Sequence, residues 1–513
     1  SKYQFRFDRK KSAYFYADIL KAGDFHTFDF DRHTDSGRLK IWLGNKAHAY
    51  VDFNRYSKKG ESTTTYNINR VEFEFVKPVD EKSADFTLGV DYSNRFFSIA
   101  VEDRIQDYKN ANNLFLPGYA DGGQFAGYPS ALYYLTLSQP YDMKGNIFCT
   151  RISAAPLENL QIRGSFQFTN QDTDITYSEE AKGIDYLDDL FMYAHTGQGQ
   201  FSRDIYLYDL DFSYIITKRF GLIGAARYND FKQKGSLTGD NGTTAMDLQY
   251  EIGGLEGGFQ WQPNSAFDLT FGVRFEQRNI DGRTDIEEEN GSTKRDGFFG
   301  NVKWHFFKSF GFTADYQLGT YQNPFTLVSP SDFQRSRVIF RYQVKGFYAL
   351  GSVLHSIVKN ENDETKVTLF KSSSSQINLG VGIDRKKIKG SLGFALINVK
   401  READRTIFYP PSWSGAGGSF LWEIFYEGKA NLFDASIYIE PNNTWGLGGY
   451  FNYYRNKGSW ALSRTSLKIL LRYTYNGGLT GELAYRLVDF KEKRYGYNNY
   501  KATIFEISLG YKW

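Results

Sequence analysis

The side chains best suited to catalysis or metal binding are sparse in this chain and form no recognisable motif. There are six histidines, His26, His33, His48, His195, His305 and His355, and one cysteine, Cys149. The sequence contains no H-E-x-x-H, C-x-x-C or C-x-x-C-H, which are the spacings of zinc sites and covalent haem attachment. It also shows no serine, aspartate and histidine spacing typical of a hydrolase. We therefore predict a protein that is not an enzyme and that holds no cofactor or metal of its own.

The remaining chemical candidates are better explained by solvent exposure. His26 and His33 lie in Asp24–Asp35, an acidic stretch that we interpret as a solvated loop rather than a metal site. The acidic run Asp285–Glu289 is interpreted in the same way. We interpret Cys149 as an incidental small residue rather than a nucleophile.

Charged and polar residues that alternate with aromatic residues are the stronger signal. They are Arg163, Asp209, Asp211, Arg274, Lys303, His305 and Glu506. Because successive side chains of a strand point to opposite faces, these residues would lie on one face of the sheet and their apolar neighbours on the other. We predict that they line the lumen of a barrel. Their mixed signs suit either a wall that contacts another protein or a nonspecific pore, since a selective pore would cluster one sign.

The strands that would position these residues alternate clearly. The best examples are Leu160–Phe168, Tyr206–Ile215 and Leu269–Phe275. The last stretch, Lys501–Trp513, has the same form, and its apolar face ends on an aromatic residue. We predict that it closes the barrel, with Phe505, Ile507, Leu509, Tyr511 and Trp513 facing lipid.

Composition supports a membrane barrel. The chain has 513 residues, 18% of them aromatic, with 49 Gly and only 11 Pro. Its mean hydropathy is −0.51, which a barrel tolerates because half of each strand is polar. A soluble propeller or solenoid is the alternative, but no repeat of fixed period is present. The net charge of +3 gives no case for nucleic acid as a partner.

The predicted fold is all-β: one transmembrane antiparallel barrel of about 24–26 strands, with short periplasmic turns and long outer loops. Residues 1–513 form one domain, in which residues 1–36 are less regular and hold one or two strands. The longest predicted loops are Gln106–Ser130, Asn170–Arg203 and Asp281–Asp296. The expected location is the bacterial outer membrane, in contact with its lipid, after removal of a signal peptide.

In length and architecture the chain resembles the outer-membrane barrels associated with decahaem cytochromes, of the MtrB/PioB type. The local resemblance rests on Phe28–Thr34, Asp52–Thr65 and the stretch from Val101 through Asn112–Gly118. The resemblance implies a sheath that holds a periplasmic multihaem cytochrome in its lumen, with a surface cytochrome docked outside, for extracellular electron transfer. All haem would then belong to the partner.

Two other functions stay open from the sequence. A diffusion porin or substrate channel would use its long loops to constrict the pore. An outer-membrane adhesin or receptor would place its function in the same loops. A cytochrome sheath should need its partner protein to be stable, whereas a porin should be stable alone.

Overall fold

The protein is an all-β barrel in the computed structural model, which confirms the predicted fold class. The structure describes residues 3–511, except for 17–27, 69–70, 112, 117–119, 122–129, 186, 241, 285–287, 323–330, 361–367, 410–417, 460, 476–477 and 494–498. No helical segment among these residues has the length and apolarity that would let it cross a membrane.

Twenty-five strands make up the described chain. The first eight are β1 (Tyr3–Tyr16), β2 (Phe28–Trp42), β3 (Ala47–Ile68), β4 (Val71–Ser93), β5 (Phe97–Asn110), β6 (Asn113–Leu116), β7 (Ala120–Asp121) and β8 (Ala131–Ser138). The next eight are β9 (Tyr141–Leu157), β10 (Leu160–Ile184), β11 (Leu190–Thr217), β12 (Phe220–Gly239), β13 (Gly242–Asn264), β14 (Phe267–Thr284), β15 (Glu288–Phe307) and β16 (Phe310–Gln322). The last nine are β17 (Asp332–Val344), β18 (Phe347–Asn360), β19 (Thr368–Arg385), β20 (Ile388–Tyr409), β21 (Gly418–Ile439), β22 (Trp445–Gly458), β23 (Leu462–Thr474), β24 (Leu479–Glu492) and β25 (Tyr500–Tyr511).

Twenty-two of these strands form one closed antiparallel ring. Each ring strand pairs with the next, and β25 pairs with β1 through Lys11 and Ser12. Strand β5 pairs directly with β9, so β6, β7 and β8 are not members of the ring. At a strand spacing of about 4.8 Å and a tilt of about 40°, such a ring is roughly 44 Å across between backbones.

The two ends of the barrel differ. Strand β1 begins and β25 ends at one end of the barrel, where every connection between ring strands has two to five residues; we call it the turn end. The other end, which carries the longest connections, is the loop end. In single-chain outer-membrane barrels the short turns are periplasmic and the long loops face outward. The turn end is therefore the periplasmic end of this protein.

An apolar band encircles the barrel next to the turn end. On β10 one face is apolar from Leu160 to Phe168 and polar from Asn170 onward. The neighbouring strand changes at Tyr206, the register partner of Phe168, and the two rings stack 4.8 Å apart. Nine residues of tilted strand rise about 23 Å, which matches the hydrocarbon-facing band of outer-membrane barrels. The protein is thus a transmembrane barrel of the outer membrane.

A second row of aromatic side chains marks the periplasmic edge of the band. Trp261, Phe267, Trp304, Phe306 and Phe310 form a continuous run of ring contacts across β13 to β16, with centroid separations of 3.8–5.9 Å. Amphipathic aromatic residues are enriched at membrane interfaces, where one edge is apolar and the other is wet.

The predicted loops Asn170–Arg203, Asp281–Asp296 and Gln106–Ser130 are wrong in large part. The first is the far end of β10 and β11, strands of 25 and 28 residues. Strands β14 and β15 likewise cover most of Asp281–Asp296, and β5 covers the first residues of Gln106–Ser130. Residues 28–35, also predicted as loop, belong to β2. Beyond the band both faces of a strand are polar, so alternation disappears although the strand continues.

A small hydrophobic core sits at the loop end, where β8 continues the line of β9 along the upper part of β10. It contains Phe73, Leu114, Leu132, Leu135, Leu137, Ala181 and Phe191. The buried carboxylate of Glu179 beside it accepts hydrogen bonds from the hydroxyls of Tyr177 and Tyr193. This loop-end core fixes the insertion to the ring.

Candidate functional site

The polar face of the wall carries a row of charged side chains at mid-height of the apolar band. We call this row the ionic belt: Glu102, Arg151, Asp209, Arg227, Glu256 and Arg274. Four of them lie between apolar residues or glycine of the opposite face, as Asp209 does between Tyr208 and Leu210, whereas Glu102 and Arg151 each have one polar neighbour, Asp103 and Thr150. Alternation along the strands therefore gives these residues their shared face, and the ring register sets their common level.

Four of these side chains are joined across β11 to β14. Arg227 reaches Asp209 at 3.6 Å and Glu256 at 3.2 Å. The Nε of Arg274 lies 2.5 Å from Glu256, but its N–H is not aligned for a hydrogen bond. The hydroxyl of Ser165 donates to Asp209 at 3.2 Å, which extends the row to β10. Acidic and basic groups alternate, so the belt is close to neutral.

Glu102 continues the belt on β5. Its carboxylate accepts a hydrogen bond from the hydroxyl of Tyr50 at 2.9 Å and lies 3.3 Å from Arg104 and 3.6 Å from Arg151. Tyr50 reaches it from β3 by lying over Gly89 of β4. A Cβ at Gly89 would stand 2.1 Å from the Tyr50 ring, so only glycine permits this crossing.

A second constellation lies on the same face just beyond the band, toward the loop end. We call it the arginine–aromatic cluster: Glu276, Arg278, Arg295, Tyr321 and Phe333, from β14 to β17. Arg278 lies 2.5 Å from Glu276 and 5.6 Å from the Tyr321 ring. Arg295 lies 4.2 Å from the Phe333 ring and 5.3 Å from the Tyr321 ring. The cluster therefore carries two guanidinium groups over aromatic faces against one carboxylate.

The cluster is closely packed. The Phe333 ring lies over Gly319, where a Cβ would approach it to 2.6 Å. The Arg295 side chain is 13% exposed, and its buried Nε has no hydrogen-bond partner. Guanidinium groups that are ordered by stacking are suited to bidentate binding of carboxylates and similar planar anions.

Two of the predicted lumen residues, Asp209 and Arg274, belong to the ionic belt. Arg163 faces Asp211 in register, and both line a cavity of about 470 Å³ with Asp91 and Arg151. The remaining predicted residues lie elsewhere on the ring. The predicted set is therefore distributed around the wall and does not form one site.

Those remaining residues sit on β15 and β25. Lys303 is the register partner of Asp268, and His305 pairs with Gly311 near the turn end. Glu506 is 2.5 Å from Lys468, reached across β24. On the predicted closing strand, Phe505, Ile507 and Leu509 are 53%, 58% and 59% exposed, and Tyr511 is the last residue of β25. Trp513 lies outside the described residues.

The predicted lumen set omitted the arginine–aromatic cluster and four of the six belt residues, Glu102, Arg151, Arg227 and Glu256. Each of the four lies on the polar face of its strand, as the predicted residues do, so counting along the strands from the turns would have found them. The cluster lies in strand extensions that were interpreted as loops, where no alternation marked a face.

Among the residues that the structure describes, the other chemical candidates do not form a metal site. Among the described residues no three His, Cys, Asp or Glu side chains lie close enough to hold a metal ion. His33 is in β2, while His26 is outside the described residues. The Sγ of Cys149 lies 3.6 Å from the amide oxygen of Gln167.

No family model matches the chain, and no curated protein does. Solved structures match over 99% of the chain. They include the ferric citrate transporter FecA (9% identity, TM-score 0.62, 78% of that chain) and the siderophore receptor PiuA from Acinetobacter baumannii (10%, 0.62, 82%). The alcaligin outer-membrane receptor FauA from Bordetella pertussis also matches (9%, 0.58, 76%). At these identities the likeness establishes a shared fold.

These matches correct the family resemblance and the function that it implied. The 22-strand ring matches iron and siderophore receptors rather than decahaem-associated barrels of the MtrB/PioB type. The predicted electron-transfer sheath, with its periplasmic and surface cytochrome partners, is therefore wrong, and so is the simple diffusion porin. The resemblance had rested on length, architecture and short stretches that are not diagnostic, and other wide barrels look similar.

Proposed function

We propose that this chain is the barrel of an outer-membrane uptake receptor for an anionic ligand. The arginine–aromatic cluster is the ligand-binding site that we favour. The ligand class is an iron chelate with carboxylate or catecholate groups, by analogy with the ferric citrate transporter FecA and the ferric-catecholate import receptor Fiu from E. coli, which share the fold. This role involves no catalysis by the chain.

The position of the arginine–aromatic cluster is the observation that carries the proposal. It lies beyond the apolar band on the side of the cell exterior, where an incoming ligand arrives first. Its two guanidinium groups are partly screened from water and outnumber the single carboxylate of Glu276. A hydrogen bond to a charged group contributes about 1.5–3 kcal/mol, whereas an ion pair with an exposed lysine contributes about 0.2–1 kcal/mol. The flanking rings offer flat surfaces to a catecholate or citrate complex.

The width of the ring supports the same function. Outer-membrane rings of 22 strands are typically transporters whose lumen is plugged, whereas open channels use 16–18 strands. We propose that the polar face lines this lumen, including Arg163, Asp209, Asp211, Arg274, Lys303, His305 and Glu506. We also propose that residues 1–513 act as one domain, since all ring strands belong to one sheet.

Ligand binding to the detergent-purified protein tests the proposal. Ferric citrate and a ferric catecholate would be titrated while quenching of tryptophan fluorescence is followed. Arg295→Gln removes one guanidinium group with little change in volume, and we expect roughly 10- to 100-fold weaker binding.

Arg203→Gln is the matched control. Arg203 lies on the same face beyond the band, over Phe231, but its guanidinium already donates to the Gln233 amide oxygen at 2.8 Å. We expect the control to bind normally. Equal losses in the two variants, or no binding of either chelate to the unaltered protein, would refute the assigned site.

A further inference from the structure

The lipid-facing wall has an apolar groove near its periplasmic edge, across β17 to β23. Its volume is about 720 Å³. Large side chains form its sides, namely Tyr342, Phe347, Ile383, Ile388, Ile437 and Phe451. Its floor is made by small residues, Ala349, Gly390, Ala435 and Gly449. We call it the basal groove.

A cluster of basic residues lies directly below the basal groove, in two adjacent turns. The first turn holds Lys345, and the second holds the run from Arg385 to Lys387. The turns are joined by a hydrogen bond from the Asp384 N–H to the Gly346 carbonyl, at 2.7 Å. The Arg385 guanidinium lies 4.8 Å from the Phe347 ring, so this cation is anchored on a wall of the groove.

These cations are not neutralised locally. Within the described part of the chain, none of Lys345, Arg385, Lys386 and Lys387 has a carboxylate within ion-pairing distance. The nearby Asp384 lies 3.9 Å from Lys389. Glu440 follows β21 at the same edge of the barrel.

We propose that the basal groove and this basic cluster form a binding site for an anionic phospholipid of the periplasmic leaflet. One acyl chain would lie in the groove, and the phosphate would contact Arg385, Lys386 and Lys387. The occupant follows from position: the groove opens to hydrocarbon, and the cations lie where that leaflet places its headgroups. A soluble acidic protein has no reason to enter a groove within the membrane. The site is independent of the proposed receptor function.

The two parts of the site contribute differently. Lipid tails are as apolar as leucine, so the groove selects by shape rather than by a hydrophobic gain. The cations supply charge selectivity, since each basic residue near an anionic lipid surface is worth about a fivefold change in binding. Removing three of them should therefore weaken binding by tenfold or more.

Native mass spectrometry and thermal unfolding of the full chain in non-ionic detergent test the proposal. The probes are phosphatidylglycerol, phosphatidylcholine, inorganic phosphate and polyglutamate. We expect the protein to retain phosphatidylglycerol and to gain thermal stability from it alone. Arg385→Gln/Lys386→Gln/Lys387→Gln should lose at least tenfold in apparent affinity. The matched control, Lys218→Gln/Arg219→Gln, alters a turn at the same end away from the groove and should bind normally.

A second variant tests the groove without touching a charge. A Cβ at Gly449 has its nearest neighbour 3.5 Å away, at Ile437, so Gly449→Phe can fold and fill the floor. We expect it to weaken phosphatidylglycerol binding, with folding checked by heat-dependent migration in electrophoresis. Equal stabilisation by inorganic phosphate, by phosphatidylcholine or by polyglutamate would overturn the proposal. So would equal losses in the control variant.

Discussion

Replacing Glu256 by glutamine should destabilise the barrel more than any other single charge removal in the β11–β14 part of the ionic belt. Glu256 serves two arginines, and its side chain is 18% exposed, against 24% for Arg274 and 55% for Arg227. Glu256→Gln keeps the side-chain volume but leaves the enclosed Nε of Arg274 without a carboxylate. Arg227 would still have Asp209 at 3.6 Å.

The size of the effect follows from this burial. Breaking a fully buried ion pair costs about 3–5 kcal/mol, whereas an exposed pair contributes about 0.2–1 kcal/mol. The Glu256–Arg274 contact lies between these limits and lacks an aligned hydrogen bond, so we expect a loss of about 1–2 kcal/mol. Asp209→Asn breaks a longer and half-exposed contact and should cost less than about 1 kcal/mol.

Urea titration of the barrel in lipid vesicles, followed by tryptophan fluorescence, measures these losses where folding and unfolding curves coincide. Glu256→Gln/Arg274→Gln should be more stable than the sum of the single variants predicts, because it leaves no unpaired charge. An Asp209→Asn loss as large as that of Glu256→Gln would contradict the role assigned to burial. Simple additivity in the double variant would contradict the pairing of Glu256 with Arg274.

Three further predictions concern other parts of the wall. Gly89→Ala should push Tyr50 away from Glu102 and cost about 1–3 kcal/mol in the same urea titration, because the new Cβ overlaps the ring. Leu135→Ala, in the fully buried loop-end core, should expose residues 131–138 to protease while the ring keeps its heat-dependent migration; loss of the whole barrel would contradict a separate core. Ile507→Arg should cost about 2–4 kcal/mol by facing lipid, and Ser508→Arg, its neighbour on the polar face, should be tolerated; equal costs would exclude the assigned faces.

The sequence predicts the membrane-spanning part of the fold well because lipid imposes a strict pattern. From Leu160 to Phe168 every second residue faces hydrocarbon and must be apolar or small, so both the strand and its two faces can be recognised from the sequence. The same holds for Phe505 to Leu509, whose exposure matches the predicted face. The number of ring strands is 22, and β6 to β8 bring the total to 25.

The strand extensions and the site are harder to predict for a common physical reason. Beyond the band the wall meets water on both sides, so residues 170–184 of β10 need no alternation and look like loop. The arginine–aromatic cluster lies in this zone. Its members are far apart in sequence, from Glu276 to Phe333, and only the ring register brings them together.

The surroundings of the barrel wall thus change with height. At the periplasmic edge, basic turns lie beside an apolar groove. In the middle, one face of the wall contacts lipid and the other carries paired charges, and at the loop end both faces contact water. Strand β11 runs through all levels; its 28 residues rise about 70 Å at a tilt of about 40°, against about 25 Å of hydrocarbon. Most of that strand therefore lies outside the hydrocarbon, where one face no longer has to be apolar. A ligand site is best placed there, because guanidinium groups over aromatic rings can be ordered by strands without being sealed from an incoming anion.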